Sequence, residues 1–373
     1  MNRVITLLAS ALTFGAFAAS PAQAETKVGF VYVGPPGDLG WTYRHDIGRQ
    51  AVEALDGIST TALENVPEGP EAVEAITQLA ETGHDLIFTT SFGFMDATNE
   101  VAGNYPDIKF EHATGYIKAH PNVSTYSGRF YEGRVVQGYI AANVTETNKI
   151  GYIASFPIPE VIRGINAFML EAKKHNPDIE VEIVWVFTWF DPAKEAAAAQ
   201  ALIDNGADVI AAHTDSPAPM QIAEAAGAKA FGQASDMSRF GPTAHLVSTV
   251  DDWDSYYVDR AKQVAAGTWN QQDSWWGFTK DGMGGEIGMV HLGNYGNMPD
   301  DVMAEAKAIE AALAAGDRHS FECPIYKQDG ALAEDCAAGE DHLTDGTLLG
   351  MNWYIQGIDA TIPQYATGRP HRA

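Results

Sequence analysis

Lys27-Val28-Gly29-Phe30-Val31 returns 122 residues on as Lys149-Ile150-Gly151-Tyr152-Ile153, and this echo decides how the chain is read. Each copy is a short β-branched and aromatic run that predicts a buried strand, followed by a loop and a helix-length segment, near Tyr43 to Leu55 and near Pro159 to His175. A second echo keeps nearly the same spacing. Leu79-Ala80-Glu81-Thr82-Gly83-His84-Asp85-Leu86-Ile87 matches Leu202-Ile203-Asp204-Asn205-Gly206-Ala207-Asp208-Val209-Ile210 at an offset of 123. In both, a helix ends at Gly, the preferred left-handed terminating residue, and Asp leads into an apolar strand. Alternating strands and helices in each copy predict an α/β protein: two doubly wound lobes, each a parallel sheet covered on both faces. Ligands of such sheets bind outside the carboxyl ends of the strands. The loops after Val33, Ile87, Ile153, Val186 and Ile210 should therefore face a cleft that a hinge can close.

The ends and the composition narrow the setting. Arg3, the apolar run Val4 to Phe17 and Pro21-Ala22-Gln23-Ala24 predict a secretory signal peptide over residues 1–24, cleaved before Glu25. No Cys stands near that point to carry a lipid, and no later stretch has the length and apolarity of a membrane span. The expectation is a protein freely dissolved in the periplasm. About 350 residues remain, enough for two lobes: 25–147 with about 249–280, and 148–248 with about 281–373. A net charge of −26 argues against nucleic acid or anionic lipid as partner, because neutralising phosphate needs Lys and Arg. Cys323 and Cys336, in a stretch rich in Gly, Asp and Pro, predict a structural disulfide rather than a metal site.

The predicted cleft loops carry unusual aromatics. Gly34-Pro35-Pro36-Gly37-Asp38-Leu39-Gly40-Trp41-Thr42-Tyr43 sets Trp41 and Tyr43 at a helix start, with Asp38 and Thr42 able to hydrogen-bond there. Ser91-Phe92-Gly93-Phe94 again pairs aromatics with Gly, which makes Phe92 a candidate. Trp185 and Phe187 alternate with Val184 and Val186 and read as core strand residues, whereas Trp189 precedes the Asp191-Pro192 turn. Aromatic faces on loops suit stacking against a flat heterocycle, so Trp41 and Trp189 are the main candidates. Asp215 and Asp236 follow apolar runs and could accept hydrogen bonds from a ligand, or equally serve as helix caps or turns.

These residues resemble the basic membrane protein family of ABC-transporter receptors, whose members include purine nucleoside receptors. The resemblance runs through Lys27–Val31 with Gly37-Asp38-Leu39-Gly40-Trp41-Thr42, and through Glu132-Gly133-Arg134 with Gly138-Tyr139-Ile140-Ala141-Ala142. It continues in Asp191-Pro192-Ala193-Lys194 and Asn205–Ile210. It implies a type I periplasmic-binding-protein fold with a multi-strand hinge, an aromatic sandwich at Trp41 and Trp189, and a carboxylate at Asp236 that reads the base. It also implies delivery to an inner-membrane ABC permease by a monomer without cofactor. Where many members show T-S-x-x-K, this chain has Ser248-Thr249-Val250-Asp251-Asp252, which favours a free base such as adenine over a nucleoside. Two rivals stand beside this reading. A sugar receptor of the same fold would also stack on Trp. A nucleosidase-type hydrolase needs an Asp-rich Ca²⁺ site or an activated nucleophile, and no H-E-x-x-H, G-x-S-x-G or P-loop motif occurs. No enzyme activity and no metal are therefore expected.

Overall fold

The computed structural model describes residues 25–364. The first half runs β1 (Thr26–Val31), α1 (Trp41–Glu53), β2 (Ile58–Leu63), α2 (Pro70–Glu81), β3 (Leu86–Thr89), α3 (Met95–Asn104), β4 (Lys109–Ala113) and β5 (Val123–Gly128). The second runs α4 (Tyr131–Val144), β6 (Lys149–Ala154), α5 (Pro159–His175), β7 (Glu180–Trp185), α6 (Pro192–Asp204), β8 (Val209–His213), α7 (Ala218–Ala226), β9 (Lys229–Gly232) and β10 (His245–Asp251). Then come α8 (Asp254–Ala265), β11 (Asp273–Trp276), β12 (Val290–Gly293) and α9 (Asp300–Ala315). The sheets are ordered β2-β1-β3-β4-β5-β11 and β7-β6-β8-β9-β10-β12. Strand order reverses beside β1 in one and beside β6 in the other, and only β12 runs antiparallel to its neighbour. The chain passes between the sheets three times, after β5, after β10 and between β11 and β12.

The internal echo has a packing cause. A Cβ on Gly29 would lie 2.8 Å from Leu79 Cδ1, and one on Gly151 would lie 2.8 Å from Leu202 Cβ. In each half a helix therefore rests directly on the central strand, and only Gly leaves room beneath its Leu. Gly83 and Gly206 then take φ of 81° and 96° and end α2 and α6. The Asp85 N–H donates to Lys27 O at 2.8 Å and the Asp208 N–H to Lys149 O at 3.3 Å, starting the next strand in matching register.

One sequence assignment is corrected. A boundary near 147 places α4 with the first half, yet α4 packs on α5, α9 and β10 of the second. Its glycines are the reason. A side chain at Gly138 would meet the Phe168 carbonyl oxygen at 2.1 Å, and one at Gly133 would meet Thr249 Oγ1 at 2.6 Å. Helix α8 returns to the first half and packs on α1.

The tail beyond α9 wraps the second half. Arg163 Nη1 donates to Leu348 O at 2.7 Å, Asn166 Nδ2 to Trp353 O at 2.8 Å, and Arg318 pairs with Glu171. Arg129, at the first crossing, grips Asp345 through two bonds of 2.7 Å. Within the tail the Cys323 and Cys336 sulfurs sit at bonding distance, with Cα atoms 5.5 Å apart. Cys336→Ala is expected to lower stability by roughly 3 kcal/mol, the loop-closure value for a ring of this size. Thermal unfolding with and without reductant checks it: the reductant should shift the parent protein and leave the variant unmoved.

Candidate ligand-binding site

Between the carboxyl ends of the two sheets lies a narrow, largely closed cleft. Val33, Trp41, Ser91, Phe92 and Thr114 line it from the first half, and Glu160, Trp189, His213, Asp215 and Gln233 from the second. They follow, or end, seven strands: β1, β3 and β4 on one side, β6 to β9 on the other. This is the crevice at the switch point of two facing α/β sheets.

Local hydrogen bonds hold the aromatic walls. Buried Asp38 accepts from the backbone N–H groups of Gly40, Thr42 and Tyr43 at 2.9, 2.8 and 2.9 Å, which fixes the start of α1 and aims its first residue, Trp41, at the cavity. The Trp41 indole donates to Thr90 O at 2.7 Å and rests edge-on against fully buried Trp253 at 5.4 Å. The Trp189 indole reaches across the cleft and donates to Glu68 Oε1 at 3.2 Å. Glu68 also accepts from Ser91 Oγ at 2.5 Å and Gly93 N at 3.0 Å, so it stands already anchored on the first half. Ser235 Oγ donates to Leu39 O, and Gly40 lies against the Asp215 carbonyl, so the halves meet on both sides of the cavity.

The floor is polar and acidic. Asp215 is buried, and burial, reinforced by the carboxylates of Asp38, Glu195, Asp251 and Glu160, pushes its carboxyl well above the usual range. Burial likewise lowers His213, whose Nε2 lies 3.4 Å from Glu160 Oε1. No Lys or Arg lines the cavity. The floor thus offers carboxyl groups, an amide and an imidazole that burial keeps neutral, a mixed hydrogen-bonding lining suited to an uncharged polar ligand. Among the described residues, no group of three or more His, Cys, Asp or Glu is arranged to hold a metal ion.

A family model described as Bmp, ABC transporter substrate-binding protein PnrA-like, matches residues 25–306. The chain belongs to this family. Its relatives include a purine-binding protein of Brucella abortus, 53% identical over 93% of this chain and 96% of that one. A putative ABC transporter glucose-binding protein of Haloferax volcanii is 42% identical over 92% of this chain and 83% of that one. The fold is that of solute-binding proteins: an Aeropyrum pernix ABC transporter solute-binding structure superposes with TM-score 0.67 at 18% identity, covering 84% of this chain and 96% of that one.

For this Bmp-family chain the structure sorts the sequence candidates into three groups. Trp41, Trp189, Phe92 and Asp215 share the cavity wall. Asp38 and Thr42 are buried behind it, as a loop anchor and a packed residue, while Tyr43 is half-buried outside the lining. Asp236 is a correction. It lies on the exposed surface, where its carboxylate accepts from Ser238 N at 2.9 Å and Asn294 Nδ2 at 2.5 Å, so it caps a turn instead of facing the cavity. Phe187 is a second: it is 43% exposed with φ of 52°, because β7 ends at Trp185. Glu160, His213 and Gln233 were missed. Each sits within three residues of a position singled out in the sequence, and the sole signal was its place at a strand's carboxyl end. The predicted signal peptide, residues 1–24, lies outside the described residues.

Proposed function

We propose that this receptor captures a purine base, or a nucleoside, between Trp41 and Trp189 and delivers it to an inner-membrane ABC permease from the periplasm. The carrying observation is that two loops from opposite halves bring an indole each to one small cavity. Flat heterocycles gain affinity from aromatic faces, and a closing cleft supplies one from each side. The name of the Brucella abortus relative supports the ligand class. The acidic floor, lined by no Lys or Arg among the described residues, favours an uncharged base over an anionic ligand.

The second reading is a sugar such as glucose, favoured by the name of the Haloferax volcanii relative and by the carboxylates of the floor. Calorimetric titration with adenine, adenosine and glucose separates the two. Binding of adenine with no heat from glucose supports the proposal; the reverse overturns it. Within the purine reading, Trp41→Ala and Trp189→Ala should each weaken binding by about 1–3 kcal/mol, the usual size of base stacking on an aromatic side chain. Unchanged affinity in both variants would remove the stacking role.

A further inference from the structure

Arg134 is fully buried on α4, makes no ion pair among the described residues, and ends within reach of the cavity floor. The two terminal nitrogens of its guanidinium are held by neutral oxygens: Nη1 donates to Gln137 Oε1 at 2.8 Å, while Nη2 donates to Ala212 O at 2.9 Å and to Gln233 Oε1. Gln137 is itself held by Thr249 Oγ1 at 3.0 Å, so the guanidinium is clamped from two sides. A guanidinium only donates and does not lose its proton in proteins. The amide of Gln233 has therefore one allowed orientation, oxygen toward Arg134, because the flipped amide would set donor against donor. Gln233 lines the cavity, and among the described residues its Nε2 has no hydrogen-bond partner.

We infer that Arg134 is a positioning residue that makes Gln233 an obligate hydrogen-bond donor to the ligand, so that the site selects molecules placing an acceptor there. An amide at a cavity wall ordinarily serves either polarity by rotating about its last torsion. Here that freedom is removed from behind, by a buried cation that never touches the ligand. Beside it, Asp215 adds a carboxyl group to the same wall. For a purine, which is the reading this inference rests on, the acceptor facing Gln233 is a ring nitrogen or an exocyclic oxygen.

The test uses the full mature chain and calorimetry with adenine and its 1-deaza, 3-deaza and 7-deaza analogues, each lacking one ring acceptor. In the unmodified protein one analogue should bind roughly 5- to 150-fold more weakly than adenine, because a buried donor loses its partner. Gln233→Glu keeps the contact to Arg134 but offers no N–H, so adenine itself should weaken by that factor and the penalty for the one analogue should vanish. Arg134→Lys keeps the charge and loses the fork, and should shrink the same penalty even where its melting temperature falls. A uniform loss across all analogues in Arg134→Lys, with the penalty intact, reduces Arg134 to a structural role and overturns the inference. So does a penalty that survives in Gln233→Glu, or no penalty in the unmodified protein. If glucose binds and no purine does, the purine reading falls while polarity is still measured. One monofluoro-glucose, whose fluorine accepts but cannot donate, should then bind the unmodified protein and not Gln233→Glu; equal loss in both proteins overturns the inference.

Discussion

Arg260→Met should lower the free energy of unfolding by about 3–5 kcal/mol, the cost of stranding a buried charge without its partner. Glu111 on β4 is fully buried, and Arg260 on α8 is its counter-ion at 2.6 Å. Tyr256 Oη and Trp269 Nε1 each donate to the same carboxylate at 2.7 Å. Burial pushes the Glu111 carboxyl up, and Arg260 is the strongest group pulling it back. With the guanidinium gone, two neutral donors remain for a carboxylate in an apolar interior. Urea unfolding of the variant should show a lower midpoint with an unchanged slope. Glu111→Leu combined with Arg260→Met should recover much of the loss, since the pair contributes little net stability relative to apolar packing. A single variant as stable as its parent would mean that this pair does not tie α8 to the first sheet.

Gly40→Ala should leave folding intact and weaken ligand binding more than a hundredfold. A Cβ at position 40 would lie 2.2 Å from the Asp215 carbonyl oxygen and 2.9 Å from its carbonyl carbon, both across the cleft. Backbone cannot swing aside as a flexible side chain does, so the clash costs about 3 kcal/mol or more in the closed form alone. With the halves apart the clash would be relieved, so the unliganded variant should melt within a few degrees of its parent. Small-angle scattering adds a second readout: ligand compacts the parent and leaves Gly40→Ala extended. Parental affinity in the variant would show that capture does not require the halves to meet at this point.

The features legible in the sequence are those written twice along the chain or fixed by a local helix end. Gly29 with Leu79 and Gly151 with Leu202 write the strand-under-helix contact twice, and Gly83 and Gly206 mark two helix ends by the one backbone conformation that favours glycine. Helix α5 spans Pro159–His175, the stretch expected from its pattern. Side-chain direction at the strand ends was not legible in this way. Asp236 and Gln233 lie three residues apart after β9, yet one turns outward to Asn294 and the other inward to Arg134. Those choices depend on partners 58 and 99 residues away, which no local spacing records. The same holds for α4, whose allegiance to the second half is set by where Phe168 and Thr249 arrive in space.

Both indole N–H groups of the cavity wall are already engaged within the protein. Trp41 directs its own to Thr90 and Trp189 directs its own to Glu68, so neither wall has a directional bond left to offer a guest. On the proposed reading their contribution would be area and flatness, which any planar ring can use. Discrimination among rings would then fall to the side chains beneath, and changing one of those should retune which molecule is chosen while the stacking contribution stays nearly constant. A receptor divided in this way can be re-specified by substitutions in its base without rebuilding its jaws.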